Sequence, residues 1–204
     1  MLTKNDVVIP ELTSDQTIEC VKTALVISSS IKDRQDLHER GFTERFNNVA
    51  MGEMSEQAVV QYLRNHGKTV IAPSYEEKTN GKPDAGYDIT VIDKKGKFRR
   101  CSIKSSISAY KAGPEAIIGS DAFHLASKKS EIRDINIQVY FWLDISGKFS
   151  SRTTVPSEKN MMIVGWACRK DVTGTSHYAG ENREVVEVSL KDLRPMEQLL
   201  QYLS

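Results

Sequence analysis

The chain has 204 residues, 39% hydrophobic and 27% charged, with twelve Gly and six Pro thinly spread. That composition fits one globular domain and excludes a collagen-like or largely disordered chain. Twenty-eight Lys and Arg against 27 Asp and Glu leave a net charge of +1, so charge alone names neither nucleic acid nor a membrane as partner. A domain of this length buries roughly 70% of its unfolded surface and needs no disulfide or metal staple. No apolar run approaches the ~20 residues that cross a bilayer. Residues Met1 to Asp6 lack the basic-then-apolar pattern of a secretion signal. Cys20, Cys101 and Cys168 are odd in number and far apart, the usage of reduced thiols in a cytoplasmic protein.

Residues 14–46 read as mainly helical, with Ser14 or Asp15 as the cap and Ile18, Val21 and Leu25 on one face. The Ser28-Ser29-Ser30 run interrupts this helix, and a second stretch follows from Ile31 to Phe46. A third helix runs from Gly52 to Asn65 on the stripe Ala58, Val59, Tyr62 and Leu63, and ends at His66-Gly67. The period then changes to that of strands. Thr69–Ala72 is a short strand closed by Pro73, and Tyr87–Ile92 pairs across a Lys95-Gly96 turn with Phe98–Lys104. Ile137–Ile145 is almost wholly apolar, as a strand covered on both faces should be. Met161–Cys168 and Val185–Leu190 complete the strands. A last helix over Asp192–Leu203 turns Leu193, Met196, Leu199, Leu200 and Leu203 inward, with Pro195 in its first turn. The expected architecture is therefore an α/β domain, a central mixed β-sheet flanked by helices.

Several devices are missing. There is no GxxxxGK[ST] loop, no strand-linked GxGxxG and no GxSxG elbow, and His38, His66, His124 and His177 show no metal-ligand spacing. The local charge is more informative. From Lys94 to Pro114 there are seven basic residues (Lys94, Lys95, Lys97, Arg99, Arg100, Lys104, Lys111) and no acidic one. Such a stretch is either a solvated hairpin tip or a focused field for phosphate. Strand alternation puts Asp88 and Thr90 on one face, and Phe98, Arg100, Ser102 and Lys104 on one face of the return strand. Pairing these strands brings Asp88 beside Ser102 and Lys104, as a salt bridge or as a site.

The order of these pieces is more specific than any one of them. A helix opened by Gly52-Glu53-Met54-Ser55-Glu56, then a strand, then Pro83-Asp84-Ala85-Gly86-Tyr87-Asp88, then Ser102-Ile103-Lys104 resembles the PD-(D/E)xK nuclease superfamily over residues 45–145. That family's core is a helix carrying Glu followed by a hairpin carrying Asp and (D/E)xK. Asp88, which leads an apolar strand, matches the family aspartate better than Asp84. Ser102 stands where the family has Asp or Glu, and serine is a poor ligand for a hard divalent cation. A subgroup of type II restriction endonucleases, including those that read sites with a CCGG core, is similar: it has SxK on the strand and a glutamate from the following helix. Glu115, eleven residues beyond Lys104, takes that place in this chain, with Glu131 a more distant candidate.

What the resemblance implies is a Mg²⁺-dependent, sequence-specific endonuclease of double-stranded DNA, of the type II restriction class. Asp88, Glu115, Glu56 and the Ile103 carbonyl would hold the metal, and Lys104 would orient and activate the attacking water. The basic stretch would lie along the scissile backbone. Lys148, Arg152, Lys159, Arg169, Lys170 and Arg183 would be available for base reading. A palindromic target would favour a homodimer. The implied organisation is one nuclease domain over 1–204, with an N-terminal helical part (1–50), a catalytic core (51–145) and C-terminal strands and helix (146–204). Two other readings stay open: a repair or junction-resolving nuclease of the same superfamily, and a non-catalytic DNA-binding module whose Ser102 marks a decayed site.

Overall fold

The computed structural model describes residues 2–30, 41–80, 86–111, 113–120, 123–143, 157–177 and 184–204. Helix α1 (Ser14–Ser30) is capped by Thr13, whose hydroxyl accepts from the Gln16 amide at 3.2 Å while Gln16 Oε1 accepts from the Thr13 amide at 2.8 Å. The cap therefore lies one residue before the expected Ser14. The three serines are themselves helical, and the described helix ends with Ser30. Ser28, Ser29 and Ser30 donate their hydroxyls back to the carbonyls of Ala24, Leu25 and Val26, which absorbs their competition with the backbone inside the helix. The expected apolar face is also corrected. Cys20, Thr23, Ala24 and Ser28 are the buried residues, while Ile18 and Leu25 are exposed, because small side chains let α1 lie close to its neighbour.

That neighbour is α2 (Phe42–Asn65), one continuous helix starting ten residues before Gly52. Gly52 costs about 1 kcal/mol in a helix interior, and the burial of Met51, Met54, Ala58, Val59 and Leu63 on either side of it outweighs that cost. The expected second helix falls largely on 31–40, outside the described residues. The chain continues through β1 (Thr69–Ile71), α3 (Tyr75–Thr79), β2 (Ile89–Ile92), β3 (Phe98–Lys111), α4 (Pro114–Gly119), β4 (His124–Ser127), β5 (Ile135–Leu143), β6 (Met161–Cys168), β7 (Gly174–His177), β8 (Glu184–Ser189) and α5 (Met196–Tyr202).

The main sheet is ordered β1-β2-β3-β5-β6, antiparallel except for the parallel β3–β5 pair. The mixed sheet flanked by helices is thus as expected, and β5 is buried along its whole length. Two features differ. The 185–190 strand belongs to a second sheet, β4-β8-β7, rather than to the central one. The closing helix is shorter, because Pro195 stands at its N-cap after a 3₁₀ turn at Leu190–Asp192. Alternation along the strands divides the apolar residues into two cores. One packs Ile89, Val91, Cys101, Ile137, Val139 and Phe141 under α2 and α5. The other packs Tyr140, Trp142, Met162 and Val164 against Ile117, Leu125 and Leu190.

Candidate functional site

The β2–β3 hairpin sets the geometry. Ile89 pairs with Cys101 and Thr90 with Arg100, and the Asp88 amide donates to the Cys101 carbonyl at 3.0 Å, which carries the pairing one residue past β2. Gly96 turns the hairpin with φ 73°, a left-handed value that favours glycine. Asp93 holds the turn: its Oδ1 accepts from the Lys95 and Lys97 amides, both at 2.9 Å, and its Oδ2 from Arg99 Nε at 2.9 Å. The Lys97 amide is the largest cause that holds the Asp93 carboxyl below the ordinary carboxylate range.

With that register, Asp88 falls beside Ser102. The Ile103 amide donates to Asp88 Oδ2 at 2.5 Å, so the carboxylate lies against the Ser102-Ile103-Lys104 segment. Ser102 is buried, and it pairs with Asn136 across the parallel β3–β5 ladder as Lys104 pairs with Gln138. Lys104 Nζ makes its ion pair with Glu131 Oε2 at 3.0 Å, and Ser127 Oγ donates to the same oxygen at 3.3 Å. Glu131 sits in a 3₁₀ turn just before β5, and the parallel crossover brings that turn back beside the middle of β3. Glu115 is elsewhere: at the start of α4 its side chain is 80% exposed and pairs with Lys4 at 3.4 Å.

Glu56 arrives from α2. Lys78 of α3 is shared between Glu53 Oε2 at 2.7 Å and Glu56 Oε1 at 2.9 Å. Burial pushes the Glu56 carboxyl up to about 7, against the pull of Lys78 and with help from the negative charges of Glu53 and Asp88. Lys78 is held above its ordinary value by the two carboxylates despite its own burial, so it stays charged. The triad lines a cleft of about 350 Å³ between α1, α2 and α3.

Alternation breaks up the basic stretch. Arg99 is paired with Asp93 at 2.9 Å and lies over the Tyr202 ring, 5.6 Å from its centroid. Arg100 points to the opposite face and covers the Tyr87 ring at 5.1 Å. Lys94, Lys95 and Lys97 are exposed at the hairpin tip, and the side chain of Lys111 is outside the described residues. Of the basic residues expected to read bases, Lys148, Arg152 and Arg183 also fall outside; Arg169 and Lys170 occupy a 3₁₀ turn after β6.

Sequence reasoning passed over Lys78 and Arg133. Arg133 Nε donates to the Gly86 carbonyl, and its Nη1 to the carbonyls of Ser130 at 2.6 Å and Ile132 at 3.1 Å. It thereby ties the turn before β5 to the segment carrying Asp88. Gly86 has φ 73°, and a Cβ there would lie 2.9 Å from Arg133 Nη2. Asn136 was also missed: its side chain closes on the backbone N–H and C=O of Arg133, both at 2.9 Å. The available signal was a polar residue at 136 and another at 138 in an otherwise apolar strand.

Among the described residues no group of three or more His, Cys, Asp or Glu is arranged to hold a metal ion, and the three cysteines are free. No described helix is long and apolar enough to cross a membrane. Comparison with protein-family models, with curated proteins and with solved structures gives no match.

Proposed function

We propose that this chain is a Mg²⁺-dependent endonuclease of double-stranded DNA, built on the PD-(D/E)xK pattern with Ser102 in the acidic position. The observation that carries the reading is the contact of the Asp88 carboxylate with the Ile103 amide, on the same strand from which Lys104 pairs with Glu131. Glu131, rather than Glu115, is then the carboxylate that makes up for Ser102, with Glu56 on the α2 side. A three-carboxylate cage is not needed, since Mg²⁺ is usually held by one or two carboxylates, the rest of its shell being water and substrate phosphate. Asp88, Glu131 and the Ile103 carbonyl are hard oxygen donors of the kind Mg²⁺ takes.

When bound, the metal supplies an acidified water and neutralises charge on the phosphate. The chain's own residues do the rest. Asp88 is oriented by the Ile103 amide. The ammonium of Lys104 places and stabilises a hydroxide and adds positive charge where the pentacoordinate phosphate becomes more negative. Glu56, its carboxyl raised by burial, shares Lys78 with Glu53 on the α2 side. A two-fold homodimer would suit a palindromic site.

The test is incubation with long duplex DNA in Mg²⁺ and in EDTA. Discrete fragments in Mg²⁺ alone, lost in Asp88→Ala and reduced about 10²-fold or more in Lys104→Ala, are the expected result. A smear would indicate a structure-selective nuclease, and retention of DNA on a gel without cleavage would indicate a binding module.

A further inference from the structure

The same face of β3 that carries Ser102 and Lys104 continues outward through Arg100 to Phe98. There it meets the turn before β5 and the turn after β6, and the three close a cleft of about 420 Å³ lined by Phe98, Arg100, Ile132, Arg133, Asp134 and Arg169. The volume lies in the range of roughly 300–1,000 Å³ typical of small-ligand sites. Three guanidinium groups face one carboxylate, so the lining has a formal charge of +2 (three minus one). Arg100 and Arg169 are exposed and have no ion-pair partner among the described residues. Arg133 is fixed by its three backbone carbonyls, which leaves Nη2 without an acceptor among the described residues.

Rigid guanidinium forks bind phosphate oxygens bidentately, and an arginine whose other nitrogens are already anchored loses little freedom in doing so. Phe98 is 61% exposed and stands beside these arginines, a placement suited to the apolar face of a sugar or base. At about 3.3 Å per residue, Arg100 lies roughly 13 Å along the strand from Lys104. That span is compatible with one polynucleotide strand passing over both.

We propose that the Arg100–Arg133–Arg169 cleft seats a backbone phosphate of the nucleic acid that flanks the scissile phosphodiester. The proposal rests on the nuclease reading and names the residues that position its substrate. They are positioning residues, since none of them touches the reacting atoms.

The test measures affinity for a short mixed-sequence DNA duplex in EDTA, where cleavage is off, between about 50 and 200 mM salt. Arg100→Gln and Arg169→Gln are compared singly and together with the wild type and with Lys22→Gln, a charge change on α1. The expected result is that the slope of log affinity against log salt falls by about 1 for each arginine and by about 2 for the pair, equally across sequences. Lys22→Gln should keep the wild-type slope. Circular dichroism checks the fold, and the single variants carry the test if the double variant fails to fold. Wild-type slopes in the arginine variants, or an equal loss in Lys22→Gln, would overturn the cleft while wild-type cleavage in Mg²⁺ leaves the nuclease reading standing. A wild-type chain that neither binds nor cuts the duplex would overturn both.

Discussion

At the scale of single residues, the burial of Glu56 has the clearest physical consequence. Its carboxyl is raised from 4.5 to about 7, mainly by burial. Between those values the folded chain binds a proton that the unfolded chain releases, so this group's contribution to stability falls as pH rises through the window. At about 1.4 kcal/mol per unit the effect reaches up to about 3 kcal/mol. Glu56→Gln should flatten the dependence: urea midpoints at pH 5 and pH 8 should lie closer together in the variant than in the wild type. An unchanged gap would mean that Glu56 is ionised throughout. The pairing of Lys104 gives a second residue-scale expectation. Glu131→Gln removes the carboxylate that faces Lys104 and should lower cleavage about 10²-fold, whereas Glu115→Gln, exposed and tied to Lys4, should change it less than about twofold. Equal losses at the two positions, read from initial rates, would undo the assignment of Glu131.

At the scale of elements, β6 depends on one glycine. The Trp166 amide donates to the Arg194 carbonyl and the Arg194 amide returns to the Trp166 carbonyl, both at 2.9 Å, so the segment before α5 lies directly on the strand. A Cβ at Gly165 would stand 2.5 Å from the Arg194 oxygen and 3.2 Å from Leu193 Cβ. Backbone cannot give way as a flexible side chain does, so Gly165→Ala should cost about 1–3 kcal/mol in urea unfolding. A loss below a few tenths would show that the C-terminal segment is free to shift. Because α5 lies on the hairpin side, with Tyr202 under Arg99, the variant should also loosen the β2–β3 turn.

The whole molecule is two cores sharing one sheet. Trp166 belongs to the core under α2 and α5, and Trp142 to the core that includes Leu125 and Leu190. Strand β5 contributes side chains to both, so neither core keeps its packing once that strand detaches. Urea unfolding followed by fluorescence in Trp142→Phe and in Trp166→Phe should therefore give coincident transitions with circular dichroism. Two separated midpoints would show that the small sheet and its core open on their own. Leu63→Ala and Leu125→Ala, one in each core and both fully buried, should each cost about 2–5 kcal/mol and move that single transition.

Sequence by itself was enough for the elements whose pattern is local. The α2 stripe, the Gly96 turn, the mostly apolar run of β5 and the 161–168 strand are written in side-chain period and turn chemistry; β6 matches its expected bounds, while β5 begins two residues earlier than expected, at Ile135. So was the hairpin parity that puts Asp88 against Ser102-Ile103-Lys104, because antiparallel pairing across a short turn leaves little freedom of register. Properties that depend on long-range closure were not legible. Gly52 inside α2 and serines inside α1 contradict local propensity, and only packing and back-bonded hydroxyls reverse that. Lys104 meets Glu131, 27 residues away, because the parallel crossover returns the chain beside β3. Arg99 and Arg100 of the basic stretch turn to opposite faces of β3, and Arg100 joins two arginines from distant turns, because a strand alternates its side chains while only the tertiary fold decides what lies above each face.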